Sequence, residues 1–424
     1  MVGRSRKKVI NNDKKMEGNT LPSFDTKVSK NKISNNKKNI GNTLPSFDVK
    51  VDESKLPKKK GILKFILIPI ICILVIVSLL FVFRIINLNI SEMVWKVGLT
   101  RGSDSVNNKS IKYEYYKNGL MRVSNDGLTY INDKGSISWS ISYNMKEPIY
   151  ISKGNNFLVA DKNGSSIYLF NTIGLQNSFN TSNILDIAMD NSGIILALTY
   201  SNEYGYSLVY FDKNGKKYSK SITNKPIDLD IAKNGTLYLD ILSEIEDEKL
   251  KFYSEYKNVS NNSNELIKAF KDEFLNKFLV RSHFFDDNNS FLMSDSNIVF
   301  IDNKNINDIK IVKNVELNKK VKSISYNDKY LVLIDEENRI STYDRTGFKI
   351  SNVKLDLDFD TFYISDDYII FIKDKRVVIY DTKGIIQFDK TLMLSPVYVA
   401  KKRSPLFTEL LVGVIDGVQC IRFY

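Results

Sequence analysis

The sequence predicts an all-β fold, a β-propeller of four-stranded blades, and three observations predict it. Beyond residue 85, short runs of alternating apolar residues recur about every 40 residues. An Asp/Asn-to-Gly/Asn turn closes one strand of each repeat. A second strand signature recurs about midway between successive turns. Two strand signatures alternating at this period match four-stranded blades, four to eight of which close around an axis.

Two elements precede the repeats. Residues 1–60 are rich in Lys, Asn and Ser and poor in large apolar groups, so they cannot bury enough surface to fold alone and are expected to be disordered. The net charge of +12 sits almost wholly here. Residues 1–64 carry 17 Lys and Arg against 6 Asp and Glu, while the rest of the 424-residue chain carries 44 against 43. The folded part thus has no global electrostatic reason to bind nucleic acid, and no nucleic acid is expected as a partner. The tail also repeats itself, GNTLPSFDTKV at 18–28 and GNTLPSFDVKV at 41–51. Repetition gives a disordered chain no stability, so the functional reading is a two-copy docking motif for a cytoplasmic protein. Leu21, Pro22 and Phe24 are matched by Leu44, Pro45 and Phe47. Each Leu and Phe can fill a pocket, Pro limits the freedom of the unbound chain, and two copies raise avidity. The competing reading is a tandem duplication without consequence.

Residues 61–84 are expected to form a transmembrane helix. Ile62 to Phe83 carries a single charge, Lys64, which lies close enough to the edge to snorkel. At about 1.5 Å per residue the run spans a hydrocarbon core of roughly 30 Å. Pro69 is tolerable in such a helix. Lys58, Lys59 and Lys60 precede the run and only Arg84 follows it closely, which puts the N-terminus in the cytoplasm and the C-terminus outside, in the cell membrane. The basic flank also attracts anionic lipid, so the bilayer is an expected partner. A cleaved signal peptide is excluded, because the run is too long and begins about 60 residues in. On this topology Cys72 and Cys420 occupy different compartments, and no disulfide joins them.

The extracytoplasmic part, residues 85–424, holds the repeats. The turn signature appears as TYINDKG, YLFNTIG, VYFDKNG, KFYSEYKN, VFIDNKN, STYDRTG and VIYDTKG, ending at Gly135, Gly174, Gly215, Asn258, Asn305, Gly347 and Gly384. Alternation places Tyr, Phe, Val and Ile on one face of a strand. Asp or Asn starts the turn, and Gly or Asn supplies its left-handed position. The closing CIRFY reads as an eighth copy without its turn. The second signature ends in a small residue followed by a polar turn: Ser152, Ala188, Ala232, Ser325, Ser365 and Ala400. HFFDDNN at 283–289 and YEYYKNG at 113–119 fit with a bulky residue there. Small residues suit the innermost strand, where blades converge. Eight blades are predicted, or seven if one unit is degenerate. Since the chain ends on a third blade strand, residues 92–97, EMVWKV, are expected to pair beside 418–424, closing the ring next to the bilayer and removing an exposed edge.

One stretch departs from the pattern. In NSNELIKAFKDEFLNKFLV, residues 262–280, Leu266, Phe270, Phe274 and Phe278 recur at i+4 with Ile267 alongside. Asn262 and Glu265 suit a helix cap, so an amphipathic helical insertion is predicted.

The chemistry-bearing residues are few. His283 is the one histidine, on a predicted inner strand, where a core or channel-lining role is expected. No Ser–His–Asp arrangement can be assembled without it. No catalytic residue, metal ligand or cofactor is assigned: DKNG at 161–164 and DNSG at 190–193 lack the closing Glu of a calcium loop and read as hairpin turns.

Over nearly the whole repeat region the blade pattern resembles the quinoprotein-like and WD40-like propeller superfamily. More closely, the chain resembles the uncharacterised single-pass membrane propellers of clostridia-like bacteria. The resemblance implies a fold and no activity. Trp139, in KGSISWS, is similar to the tryptophan docking motif of quinoprotein propellers, but occurs once. The leading expectation is a membrane-anchored, non-enzymatic binding or scaffold protein, whose propeller takes a cell-envelope protein or glycan while the tail docks a cytoplasmic protein. The alternative is a transmembrane sensor whose ligand binding clusters the tails. A quinoprotein-like enzyme is the third reading.

Overall fold

Blades form here because each apolar segment can be buried on two sides at once. The structure is a computed structural model that describes residues 62–85, 91–99 and 111–424, except 213, 247–248, 260–264, 275 and 403–406. Side chains at 62–67, 80–85, 216–217, 246 and 249 are not described either.

The helix α1 (Ile62–Ile85) is 24 residues long and contains Pro69. Among the described residues, no helix is long and apolar enough to cross a membrane; in α1 the side chains described are 68–79. The tail and its repeat lie outside the described residues.

The described strands form eight four-stranded antiparallel sheets. Each is a meander in which sequence-adjacent strands pair, giving blade 1 (112–142), blade 2 (148–180), blade 3 (184–222), blade 4 (228–270), blade 5 (279–316), blade 6 (321–354) and blade 7 (361–391). Blade 8 (398–423) has only three strands of its own, and its fourth is β1 (Ser91–Gly98). The eight-blade prediction holds.

Second strands such as Asn156–Asp161 and Tyr368–Lys373 are buried over four consecutive residues, because each blade packs on both faces. Outer strands such as Ile137–Ser142 alternate and are largely exposed. The core accordingly divides into eight apolar clusters, one for each junction between neighbouring blades. Ala188, Ala232 and Ala400 are at most 1% exposed in three of these junctions, where a larger side chain would push blades apart. Ser325 joins blades another way, its Oγ accepting the Ile364 amide at 3.0 Å.

The ring closes as the sequence predicts. β1 runs antiparallel to Gly417–Phe423, from Ser91 opposite Phe423 to Gly98 opposite Gly417. A bulge interrupts every pairing of a third with a fourth strand, adding local twist. In blade 1 the extra residue precedes Trp139, and in β1 it precedes Trp95. The two tryptophans are thus equivalent, one per blade. Each covers the turn glycine of the next blade: a Cβ on Gly135 would come within 2.4 Å of the Trp95 ring, and Gly174 lies beside Trp139. Trp139 also stacks on Phe170 at 5.3 Å and donates through Nε1 to Thr172 O at 3.1 Å. Tryptophan docking therefore occurs twice, and the sequence reading missed Trp95.

Two expectations are corrected. The described residues of 262–280 contain no α-helix. Leu266–Phe270 is the outer strand of blade 4, Asp272–Phe274 is one turn of 3-10 helix, and Leu279 starts blade 5. The unpaired edge of the third strand, Lys249–Asn258, captures the segment, and Phe270 and Phe274 are buried between blades 4 and 5. Asn262 lies outside the described residues. Second, Gly135, Gly174, Gly215, Gly347 and Gly384 have positive φ as predicted, but Asn258 and Asn305 do not. There the chain leaves the third strand in a longer loop and needs no left-handed residue.

Candidate functional site

A cavity of about 520 Å³ lies on the propeller axis, lined by residues from the first strands and following turns of seven blades. Sequence alternation turns one side of each first strand toward the axis, and at four of them a chemically active group arrives there. Glu114, Asp186, Asp230 and His283 each stand two residues before the end of the inner-strand signature, in YEYY, LDIA, LDIA and HFF. His283 lines the channel as the sequence predicts; the carboxylates were missed. The signal available for two of them was the repeated LDIA, an acid at the same place in two otherwise apolar inner strands.

Two of the axial carboxylates are saturated. Asp230 accepts from Lys153 Nζ at 3.0 Å, from the Phe284 amide at 2.9 Å and from its neighbour Ile231 at 2.8 Å, and His283 Nδ1 lies 2.8 Å from it. Lys153 is 6% exposed and also donates to Ile231 O at 2.9 Å. Burial alone would raise the Asp230 carboxyl, but the Lys153 ammonium and the imidazole outweigh it and hold the group well below the usual carboxylate range. Asp228 accepts from Arg281 Nη1 at 3.0 Å and from the Ser282 amide and hydroxyl at 2.6 and 2.9 Å. Burial still leaves its carboxyl raised.

The other two are not. Among the described residues, Asp186 makes no ion pair, and its one hydrogen bond comes from the adjacent Ile187 amide at 2.9 Å. Burial pushes its carboxyl to about 6, with the Asp228 charge adding and Arg281 and Lys162 opposing. Glu114 has neither an ion pair nor a hydrogen bond among the described residues, and burial pushes it to about 7. It faces the phenols of Tyr150, Tyr363 and Tyr398, all of which its charge helps to raise.

The dyad of Asp230 and His283 lacks a third member. His283 is 9% exposed, and its Nε2 has no hydrogen-bond partner. Among the described residues, no hydroxyl or thiol is hydrogen-bonded to that nitrogen. Among the described residues no group of three or more His, Cys, Asp or Glu is arranged to hold a metal ion. The turn carboxylate Asp190 is occupied by the Ser192 amide and hydroxyl and the Ile194 amide, which makes 190–193 the hairpin turn expected. The tail residues Leu21, Pro22, Phe24, Leu44, Pro45 and Phe47 lie outside the described residues.

Closed ring, two-sided blades and polar axial cavity define the class: an eight-bladed β-propeller with a concave, charge-lined centre. Residues 93–421 match a family described as "Family of unknown function (DUF5711)", and the chain belongs to it. The match begins inside β1 and ends inside the last strand, so it spans the whole ring. No curated protein matches the sequence. Among solved structures the chain is similar to BamB from Moraxella catarrhalis, with 11% identity, 79% of this chain and 98% of that one covered, and a TM-score of 0.49. It is similar to Sqt1 of Saccharomyces cerevisiae, with 9% identity, coverage of 74% and 96%, and a TM-score of 0.50. A functionally unknown protein from Desulfotomaculum acetoxidans aligns with 12% identity, coverage of 64% and 95%, and a TM-score of 0.46. At these identities the likeness to Sqt1 is one of fold.

Proposed function

We propose that this protein is a membrane-anchored, non-enzymatic binding or scaffold protein, with the propeller outside the cell membrane and the tail inside. The observation that carries this reading is the axial cavity: it is concave and polar, and its one histidine is engaged by a carboxylate with no nucleophile beside it. Such a site holds a ligand and has no group placed to transform it. The propeller then presents its cavity and loops to a cell-envelope protein or glycan.

Anchoring is supported by the apolar run from Ile62 to Phe83 and by the 24-residue length of α1, about 36 Å of helix. The excess of Lys before the run supports a cytoplasmic N-terminus. The resemblance to single-pass membrane propellers points the same way. The tandem tail repeat supports a bivalent dock for a cytoplasmic protein, and it also favours the sensor reading, in which extracytoplasmic binding gathers the tails.

The test is affinity capture from membranes with residues 1–60 as bait, beside the same bait carrying Phe24→Ala and Phe47→Ala. Retention of a cytoplasmic protein by the intact tail alone is expected. Identical capture by both baits removes the docking role and leaves function to the propeller.

A further inference from the structure

The described cations on the axis already have partners. Lys153 is engaged by Asp230 and Arg281 by Asp228, and Lys329, at the cavity edge, pairs with Asp367 at 2.8 Å. What remains is an acceptor surface: Asp186 and Glu114, on blades 3 and 1, line the cavity without a cation. His283 supplies an independent sign of a missing partner. It is more than nine-tenths buried, and Nε2 is without a partner. Nδ1 faces Asp230 at 2.8 Å, so Nε2 is the ring nitrogen left without a partner at the cavity wall. Tyr326, its ring 4.7 Å from that of His283, adds an aromatic wall suited to a cation.

We propose that the axial cavity binds a small organic cation bearing protonated amines, held by Asp186 and Glu114 beside the unpartnered nitrogen of His283. The chemistry selects N–H donors carrying positive charge. A cavity of about 520 Å³ suits a small molecule. The carboxylates stand on separate blades, which suits an extended amine better than a compact metal ion. Binding gives the two carboxylates a counter-charge, so it is coupled to their deprotonation. The groups facing Glu114 are Tyr150, Tyr363 and Tyr398, and those acting on Asp186 are Asp228, Arg281 and Lys162. The phenols stay neutral, and the pair of Asp228 and Arg281 is internally compensated. Affinity therefore rises from pH 5.5 to pH 8 as Glu114 ionises.

The inference rests on the reading of the propeller as a ligand-binding module. Calorimetric titration of the purified full-length protein with spermidine tests it, in about 150 mM salt to screen surface binding. One saturable site is expected, at least tenfold tighter at pH 8 than at pH 5.5. The double variant Glu114→Gln, Asp186→Asn should weaken it at least tenfold, while Glu203→Gln, on an exposed turn of blade 3, should leave it unchanged. Thermal melts confirm that each variant is folded. Absence of saturable binding to wild type, equal affinity in the double variant, or equal weakening by Glu203→Gln overturns the proposal. In any of these cases, continued capture of an envelope protein or glycan by the propeller leaves the scaffold reading standing.

Discussion

Glu114→Gln should make this protein more stable, and only at neutral to alkaline pH. The carboxyl is raised from its ordinary 4.5 to about 7 by burial, with no compensating cation. A group whose folded pKa is raised favours folding while it is protonated in both states. Its penalty then grows as pH climbs from the unfolded value toward the folded one. At 1.36 kcal/mol per pH unit, ionising Glu114 at pH 8 costs the folded state about 3 kcal/mol. At pH 5 the same linkage leaves a cost of under about 1 kcal/mol. Gln keeps the shape and carries no charge, so it removes the penalty. Urea unfolding of wild type and variant at both pH values measures the difference through the midpoint. A gain of about 2–3 kcal/mol at pH 8, shrinking to under about 1 at pH 5, is expected. A variant that is neutral or destabilised at pH 8 refutes the reasoning, because the carboxylate on the cavity wall would then carry no penalty.

Three further outcomes follow from the ring. Asp230→Asn leaves Lys153 buried without its counter-charge and should cost about 3–5 kcal/mol in unfolding experiments, most of it recovered by adding Lys153→Met. Gly135→Ala meets both a φ of +79° and the Trp95 ring, whereas Gly174→Ala meets only its φ of +133°, so the first should lower the melting temperature more. A chain starting at residue 99 lacks β1 and leaves Gly417–Phe423 as an open edge; it should aggregate on size-exclusion chromatography while one starting at 91 stays monodisperse.

The blades were legible in the sequence because their signals are local. Period-two alternation and an Asp/Asn-to-Gly turn fit within a dozen residues, and counting them located eight repeats and the closing strand at 92–97. Residues 262–280 misled for the same reason. The i+4 spacing of Leu266, Phe270, Phe274 and Phe278 is a helical signal, yet Leu266 and Phe278 are 51% and 55% exposed while Phe270 and Phe274 are buried. The unpaired edge of Lys249–Asn258, the strand just before it in the chain, decided the conformation, and the periodicity within 262–280 alone does not contain that edge. The axial site was hidden more deeply. Asp186, Asp230, His283 and Glu114 come from four blades and up to 169 positions apart, so ring closure alone makes them neighbours.

The division among these acids bears on what the axis is for. If the inner strands served packing alone, paired or apolar residues would be enough, and an uncompensated buried carboxyl would only weaken the fold. Asp228 and Asp230 fit that role, since every acceptor position described is matched by a nearby cation or amide. Asp186 and Glu114 do not fit it. Each stands without an ion pair on the wall of a cavity large enough for a ligand, its carboxyl raised by burial, and Glu114 stands to be relieved by the mildest of substitutions. Stability given up at one place, beside an unpartnered nitrogen on His283, is what a binding site requires before its ligand arrives. The same substitution, Glu114→Gln, should therefore gain stability and lose spermidine, and a variant that did one without the other would separate the electrostatic account of the fold from the account of its function.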